Sequence, residues 1–451
     1  MVEAGFSSLE ESQIDTPVFS DREITRVSEE YGTPVFLVDE GTLASRFDKL
    51  RGAYRSFAGN VFVAYSMKAN FNPSILQVFL RNGALFDVTS LGELYFFTKS
   101  GGDITRIIYT SVTEEEHEFE KALREGVTRF VVGSYNGLVN LSSAVNELGV
   151  DINVLIRINP EVAVKAVVRA AYKNSKFGVP FSNGKWDSAP TLLKRIVTEP
   201  RMSFEGFHFH LGSQIEDASC YIAAIDRLEA FIERMKRYYP DLSVKIIDIG
   251  GGTPVFYGTP VPSPEEIGRI VSKRLNDLEE RLEEKFTLIV ESGRYLSTEA
   301  SVLISRIVNT KIYADQKFVY LDAGFHLLLD SALLHQAYPQ YVIPRSFGDD
   351  PVRVKLAGRL CDTYDVFPLS QVSDLRGAEL GKLVVFQNVG AYSLVFGMPF
   401  HCQTKPAVFM RRTNGQIDLI RPAQTIDGLF NEEGGGCIQG CVDRRGSDSH
   451  G

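Results

Sequence analysis

Lys68 stands in YSMKAN, directly after the run VFVAYS. A lysine at the carboxyl end of a strand is partly desolvated, which lowers its pKa and frees a neutral amine for imine chemistry. A salt-bridged lysine at a strand end is the plainer alternative. IIDIGGGTP carries Gly250, Gly251 and Gly252, and VESGR carries Gly293 and Arg294. Backbone amides of glycine approach an anion closely and an arginine adds positive charge, so the two stretches together suit a phosphate group. A GGG run alone serves equally as a turn. HFHLGSQ sets His208 and His210 on the same side of an extended segment, with Ser213 beyond. Such a pair suits a metal, an aromatic cofactor lying flat on one ring, or a hydrogen-bonded core; no third metal ligand is evident in the sequence. Glu291 is placed to face a protonated ring nitrogen and keep that ring an electron sink.

The elements that position these residues follow from hydrophobic spacing. Eight short runs alternate with longer amphipathic stretches: VFVAYS from Val61, ALFDVT from Ala84, RIIYT from Arg106, RFVVG from Arg129, NVLIRI from Asn153, FEGFHFH from Phe204, VKIIDIG from Val244 and TLIVES from Thr287. Helical stretches include PSILQVFLRNG, with Pro73 near its start and Gly83 as its stop, and the charged segment from Pro264. The fold class is therefore α/β, and repeated strand-helix units predict a (β/α)8 barrel with its site at the carboxyl ends of the strands; an open doubly wound sheet is the competing arrangement. The loops after strands seven and eight of such a barrel often hold phosphate, where the glycines fall.

Past residue 297 the runs SVLISRIVNTKIYA, KFVYLDAGF, GKLVVFQNV and KPAVFMRRTNGQIDLIR predict a separate β domain, with Asn414-Gly415 as a hairpin turn. The expected division is an N-terminal segment 1–40 partly joining the β domain, a barrel over 41–296, the β domain over 297–430, and a polar, Gly-rich, disordered tail over 431–451.

A chain of 451 residues with a formal charge of -9 has apolar residues enough for both cores, and its acidity disfavours nucleic acid or anionic membrane as a partner. Cys220, Cys361, Cys402, Cys437 and Cys441 are odd in number and scattered, as reduced cytoplasmic thiols are. By type alone Cys361 is an ordinary buried cysteine. Residues 1–20 lack a signal-peptide pattern, and no apolar run reaches membrane-spanning length.

Taken in order and spacing, YSMKAN, FDVTSLGE, RINP, SKFG, HFHLGSQ, DIGGGTP, ESGRYLS, GRLCDTYD and VGAYS resemble the fold-type-III pyridoxal-phosphate decarboxylases of ornithine, diaminopimelate and arginine, from about residue 30 to 425. The resemblance implies an alanine-racemase-type barrel, a C-terminal β domain and a homodimer with shared sites. It makes Lys68 the lysine bonded to pyridoxal 5'-phosphate and His210 the ring that stacks on it. Ser213, the glycine loop through Gly252, Gly293, Arg294 and Tyr392 would hold the phosphate, and Glu291 would pair with the ring nitrogen. Asp87, Glu93 and Arg157 would line the site. Cys361, protonating the product, and Asp362, at the substrate's distal end, would come from the partner subunit.

HLGSQ is closer to the diaminopimelate enzymes, yet Asp330-Ser331 and Leu334 stand where those carry Arg-Pro and a tyrosine, and Asp362 replaces a glutamate. Asp330 should repel a distal carboxylate and favour a distal amine. Arg359 stands at a usual proline, so a carboxylate contact has a possible new home there. YTSVTEEE lacks the usual lysine. The expected reaction is decarboxylation of a basic or diamino acid, against a racemase on the same barrel, a catalytically silent regulator, and a metal-dependent hydrolase with no convincing ligand set.

Overall fold

The computed structural model describes residues 17–182, 186–346 and 354–434, so Cys437, Cys441 and most of the expected tail lie outside the described residues. Residues 431–434 complete a short helix, Ile426–Glu432, and its turn. The chain divides into two units, Gly41–Thr298 and the joined segments Thr16–Glu40 and Glu299 onward.

All eight runs form strands of one closed parallel barrel: Asn60–Ser66, Leu85–Val88, Ile107–Tyr109, Arg129–Val132, Ile152–Arg157, Met202–His208, Ile246–Asp248 and Thr287–Ser292. The last pairs with the first, Glu291 opposite Ala64, which excludes the open sheet. Side chains of Ala64, Ile108, Val131, Leu155, Ile246 and Ile289 pack together as an apolar cluster, with Leu85 against it. Because successive side chains alternate faces, the residue two places further along each strand points the same way. Those residues are Ser66, Asp87, Thr110, Gly133, Arg157, Asp248 and Glu291, so an apolar plug gives way to a polar rim within one repeat.

Helix starts are fixed by short polar side chains accepting from the first-turn amides: Asn72 ahead of Pro73–Arg81, Ser90 ahead of Leu91–Lys99, Ser134 ahead of Tyr135–Leu148 and Ser263 ahead of Pro264–Leu282. Each cap ends a strand-to-helix loop and so sets where the rim stops.

The sixth strand departs from simple alternation. Its pairing with the fifth slips between Val154 and Leu155, leaving Glu205 as an extra residue. Phe204 and Phe207, three apart, therefore meet at 5.2 Å between ring centroids, and Phe207 packs on Phe231 of the helix Ser219–Lys236. His208 is then delivered to the barrel interior. Gly206 makes the bulge possible, with φ of +155° and a position where a Cβ would lie 1.9 Å from the Ile246 carbonyl oxygen. A strand pair absent from the expected pattern, Ala166–Arg169 with Gly212–Ile215, runs antiparallel and carries Ser213.

The second unit is a nine-stranded mixed sheet. Its long strand Ser301–Tyr313 pairs with Val35–Asp39, Leu383–Gln387 and Gln316–Leu321. Val35–Asp39 runs parallel to Val408–Arg411, which turns through Asn414-Gly415 into Ile417–Arg421 as expected. Phe19, Ile24, Val27, Val35 and Leu37 join Val302, Ile304, Val385 and Phe409 in one core.

Replacing Gly206 by alanine should force the bulge open at a cost of about 2–4 kcal/mol. Chemical denaturation of the parent and Gly206→Ala proteins checks this; an unchanged midpoint would refute the account of the sixth strand.

Candidate active site at the barrel mouth

Lys68 sits in a 3-10 turn, Met67–Ala69, that ends the first barrel strand. Its Nζ lies 3.2 Å from Asp87 Oδ2; the lysine side chain keeps 43% of its exposure while Asp87 is buried. Desolvation of the amine is thus less complete than its strand-end position suggests, and an ion pair holds it. Glu93 Oε2 accepts from the Thr89 amide at 2.7 Å and its hydroxyl at 3.1 Å. Burial, reinforced by repulsion from Asp87, raises the Glu93 pKa despite these bonds.

Arg157 closes the fifth strand with its guanidinium 4.6 Å from the Phe177 ring centroid. Burial lowers its pKa from the ordinary value, opposed by Glu291, Asp87, Glu114 and Asp248. Glu114 was not singled out from YTSVTEEE, yet its carboxylate accepts from the Gly133 amide at 2.6 Å and from the Ser134 hydroxyl.

Asp248 and His208 are register partners, and so are His208 and Arg157. His208 Nε2 is 3.3 Å from Glu291 Oε1, with both residues buried. Ligand atoms of His208, Asp248 and Glu291 lie within 4.8 Å of one another. No third ligand beside the histidines is evident in the sequence; the fold sets two acids beside His208, and His210 is not part of that group. Burial opposes ionisation of Glu291, but attraction from His208 and Lys68 outweighs it and holds the carboxyl below its ordinary range. Asp248 goes the other way, raised by burial and by the neighbouring Glu291 charge. One acid of the pair is charged and the other neutral, as expected for two carboxyls in one low-dielectric site.

His210 takes a different post. Its Nδ1 accepts from the Gly251 amide at 3.0 Å, which fixes the proton on Nε2 in the neutral ring. Burial and the Lys68 charge push its pKa down to about 3. Gly250, with φ of +64°, brings the loop so close that a Cβ would sit 2.4 Å from the Phe209 carbonyl oxygen. Gln214 ties this loop down through Val255, accepting from its amide at 2.7 Å and donating to its carbonyl at 2.9 Å. Tyr221 donates to the Gly251 carbonyl at 2.9 Å. Arg294 Nε donates to Ser213 Oγ at 3.1 Å, and its Nη1 reaches Tyr257 Oη at 3.4 Å. A Cβ at Gly293 would meet the Ala69 side chain at 2.6 Å, so the eighth-strand loop lies against the lysine turn.

In the second unit, Asp365 joins two loops. Its carboxylate accepts from the amides of Phe325 and Leu360, each at 2.7 Å. Arg359 donates from its amide to Ala323 and from Nη1 to the Asp322 carbonyl at 3.3 Å. The Cys361 amide donates to His401 Nδ1 at 3.3 Å, and Cys361 is exposed, contrary to what its residue type suggests. Asp362 accepts from the Tyr364 amide at 2.8 Å. Asp330 is buried in the turn of helix Leu329–Leu333, and Tyr392 takes a left-handed φ of +60°. Asp365, His326 and His401 escaped sequence reading; GRLCDTYD contained Asp365, but its partners lie 40 and 5 residues away.

The barrel mouth fits a phosphorylated aromatic aldehyde. A buried Glu291 Oε1 makes no hydrogen bond among the described residues, an accessible amine stands at Lys68, and Arg294 with Ser213 and the glycine loop form an anion cradle. These features define a pyridoxal-phosphate enzyme built on a (β/α)8 barrel.

The family model of the pyridoxal-dependent decarboxylases, pyridoxal binding domain, matches residues 41–298. Diaminopimelate decarboxylase of Vibrio cholerae is 30% identical over 414 residues, covering 90% of this chain and 93% of that protein. Among solved structures, diaminopimelate decarboxylase of Methanocaldococcus jannaschii aligns with a TM-score of 0.83 at 24% identity, covering 90% of this chain and 93% of the other. That of Helicobacter pylori, complexed with L-lysine, gives 0.81 at 24% identity, covering 91% and 99%. The chain belongs to the pyridoxal-dependent decarboxylase family. It is a carboxy-lyase with pyridoxal 5'-phosphate as cofactor, on the alanine-racemase-type barrel with an added β domain.

Because the folded protein keeps His210 neutral while an unfolded chain binds a proton near the ordinary value, acid favours unfolding through this residue. Its contribution is complete above about pH 6.5 and declines as pH falls toward about 3. Between pH 6.5 and 5, the melting temperature of cofactor-free His210→Gln should fall less steeply than the parent's; parallel curves would refute the assignment.

Proposed function

We propose that this chain removes carbon dioxide from a diamino acid of the lysine, ornithine or diaminopimelate type and releases the amine, favouring substrates with a distal amine and no distal carboxylate. The observation that carries the chemistry is the mouth assembly: Lys68 held by Asp87, a neutral His210 ring, and an ionised Glu291. When bound, pyridoxal phosphate supplies an electron sink for the pair released as the bond to the α-carboxylate breaks.

The chain's own residues do the remaining tasks. Lys68 would anchor the aldehyde of the cofactor and give way to the substrate amine. Ser213, Gly250, Gly251, Gly252, Gly293, Arg294 and Tyr392 would hold the phosphate, which with His210 against the ring would fix orientation. Glu291 would keep a proton on the ring nitrogen. Arg157, with four buried acids around it opposing the loss of its proton, is a cation suited to the α-carboxylate. Cys361 returns a proton to the product carbon, its thiol exposed as that task requires.

Asp330 supports the distal-amine preference. It stands where the diaminopimelate enzymes resembled by this sequence carry arginine, and a buried carboxylate attracts an ammonium and repels a second carboxylate. Asp362 and Arg359 complete the distal end. These groups and Tyr392 all belong to the second unit, which suits a homodimer in which one copy supplies Cys361 and Asp362 to the other. Free thiols at Cys220, Cys361 and Cys402 suit the cytoplasm. Among the described residues no helix is long and apolar enough to cross a membrane.

Carbon dioxide release should be measured with both stereoisomers of lysine, ornithine, arginine and diaminopimelate, using Lys68→Ala as control. The control should lose the near-visible absorption band and the borohydride-fixed cofactor. Release from no substrate would sink the reaction, and release from diaminopimelate alone would sink the distal-amine preference. Asp330→Arg should shift preference toward diaminopimelate by about tenfold or more. Mixing inactive Lys68→Ala and Cys361→Ala chains should restore up to about a quarter of parent activity through sites formed between copies. No recovery from chains shown to exchange would refute the shared site.

A further inference from the structure

The cofactor contacts leave His208 unexplained. It is 1% exposed, its Nε2 lies 3.3 Å from Glu291 Oε1, and among the described residues neither ring nitrogen makes a hydrogen bond. Leaving such groups unsatisfied costs on the order of 1–3 kcal/mol each, so an aliphatic side chain would serve the barrel better if His208 merely filled space. The bulge before Gly206 turns this residue inward, and register with Arg157 and Asp248 on either side fixes its height at the rim. Beside it stand Glu291, Asp248, Arg157 and His210.

We propose that His208 is a positioning residue for Glu291: its Nε2–H donates to Glu291 Oε1 and holds that carboxylate on the ring nitrogen of the bound cofactor. A separation of 3.3 Å needs only alignment to become a hydrogen bond. Arg157 and Lys68 are too few to do this themselves, since Lys68 is taken by Asp87 and the Arg157 guanidinium lies over Phe177. With a fixed donor behind it, Glu291 cannot swing toward Lys68 when the amine is exchanged. The inference rests on Glu291 facing the ring nitrogen, and Glu291→Gln is therefore the control.

The test uses full-length protein reconstituted with cofactor labelled with nitrogen-15 in the ring, comparing parent, H208M, H208Q and E291Q. In H208M the ring-nitrogen shift should move toward the unprotonated value, with kcat lowered about tenfold and KM changed less than about twofold. H208Q, which restores a donor at similar reach, should recover both within about threefold. If E291Q leaves the nitrogen shift unchanged, the role of Glu291 fails and His208 falls with it. If E291Q moves the shift while H208M does not, or if H208Q is no better than H208M, the His208 role alone is overturned. Should H208M not fold, the parent's His208 Nε2–H proton decides: a downfield signal lost in E291Q supports the proposal, and its absence from the parent overturns it.

Discussion

The two-residue repeat of a β-strand governs the barrel mouth. A side chain that fills the plug and the one that lines the barrel mouth are separated by a single outward-facing residue, as in Leu85 and Asp87, Leu155 and Arg157, Ile246 and Asp248, or Ile289 and Glu291. Apolar packing therefore fixes the polar rim with little freedom left over. Any slip of one residue in a strand would send its charged group into the helix layer and an aliphatic side chain into the mouth. The sixth strand is the exception that obeys the rule, because its bulge adds one residue and so restores the inward place of His208.

Collecting so many ionisable groups in one ring would be destabilising if all were charged and unpaired. The arrangement avoids this by dividing the protons. Lys68 and Asp87 neutralise each other, Glu291 is held ionised by the positive groups around it, and Asp248 is pushed toward its neutral form. His210 is kept uncharged by burial and by the amide of Gly251. A neutral, flat ring beside an ionised carboxylate is the setting a protonated pyridine requires, and it exists in the protein's own electrostatics.

Much of this was legible in the sequence because barrel strands are short, apolar and followed at once by their functional residue. Lys68, the glycine loop and Gly293-Arg294 each sit within a few residues of a strand whose end is unmistakable. What the sequence hid involves partners far apart along the chain. The approach of Asp248 and Glu291 joins neighbouring strands 43 residues apart (291 minus 248), and the Gln214 clamp on Val255 spans 41. The antiparallel pair of Ala166–Arg169 with Gly212–Ile215 lies in a loop whose exposed Val167 and Val168 give no periodic signal. Cys361 differs for another reason: residue type gives only average burial, and this thiol is exposed.

The second unit meets a harder positional problem than the barrel, because its candidate residues lie on loops rather than strand ends. Loops gain rigidity only from bonds that cross between them. Asp365 provides two, one from each carboxylate oxygen, to the segments that carry His326 and Cys361. Gly358 and Gly324 are bare at the contact; a Cβ there would come within 2.2 Å and 2.9 Å of the same carboxylate. His401 adds a third segment by accepting the Cys361 amide, and the Met398 amide closes the set on the His326 carbonyl. A buried acid is thus used as a backbone acceptor at the centre of three loops. Burial raises its pKa and the two amides only partly oppose the rise, so the bonds that fix the loops also ease the burial of their acceptor.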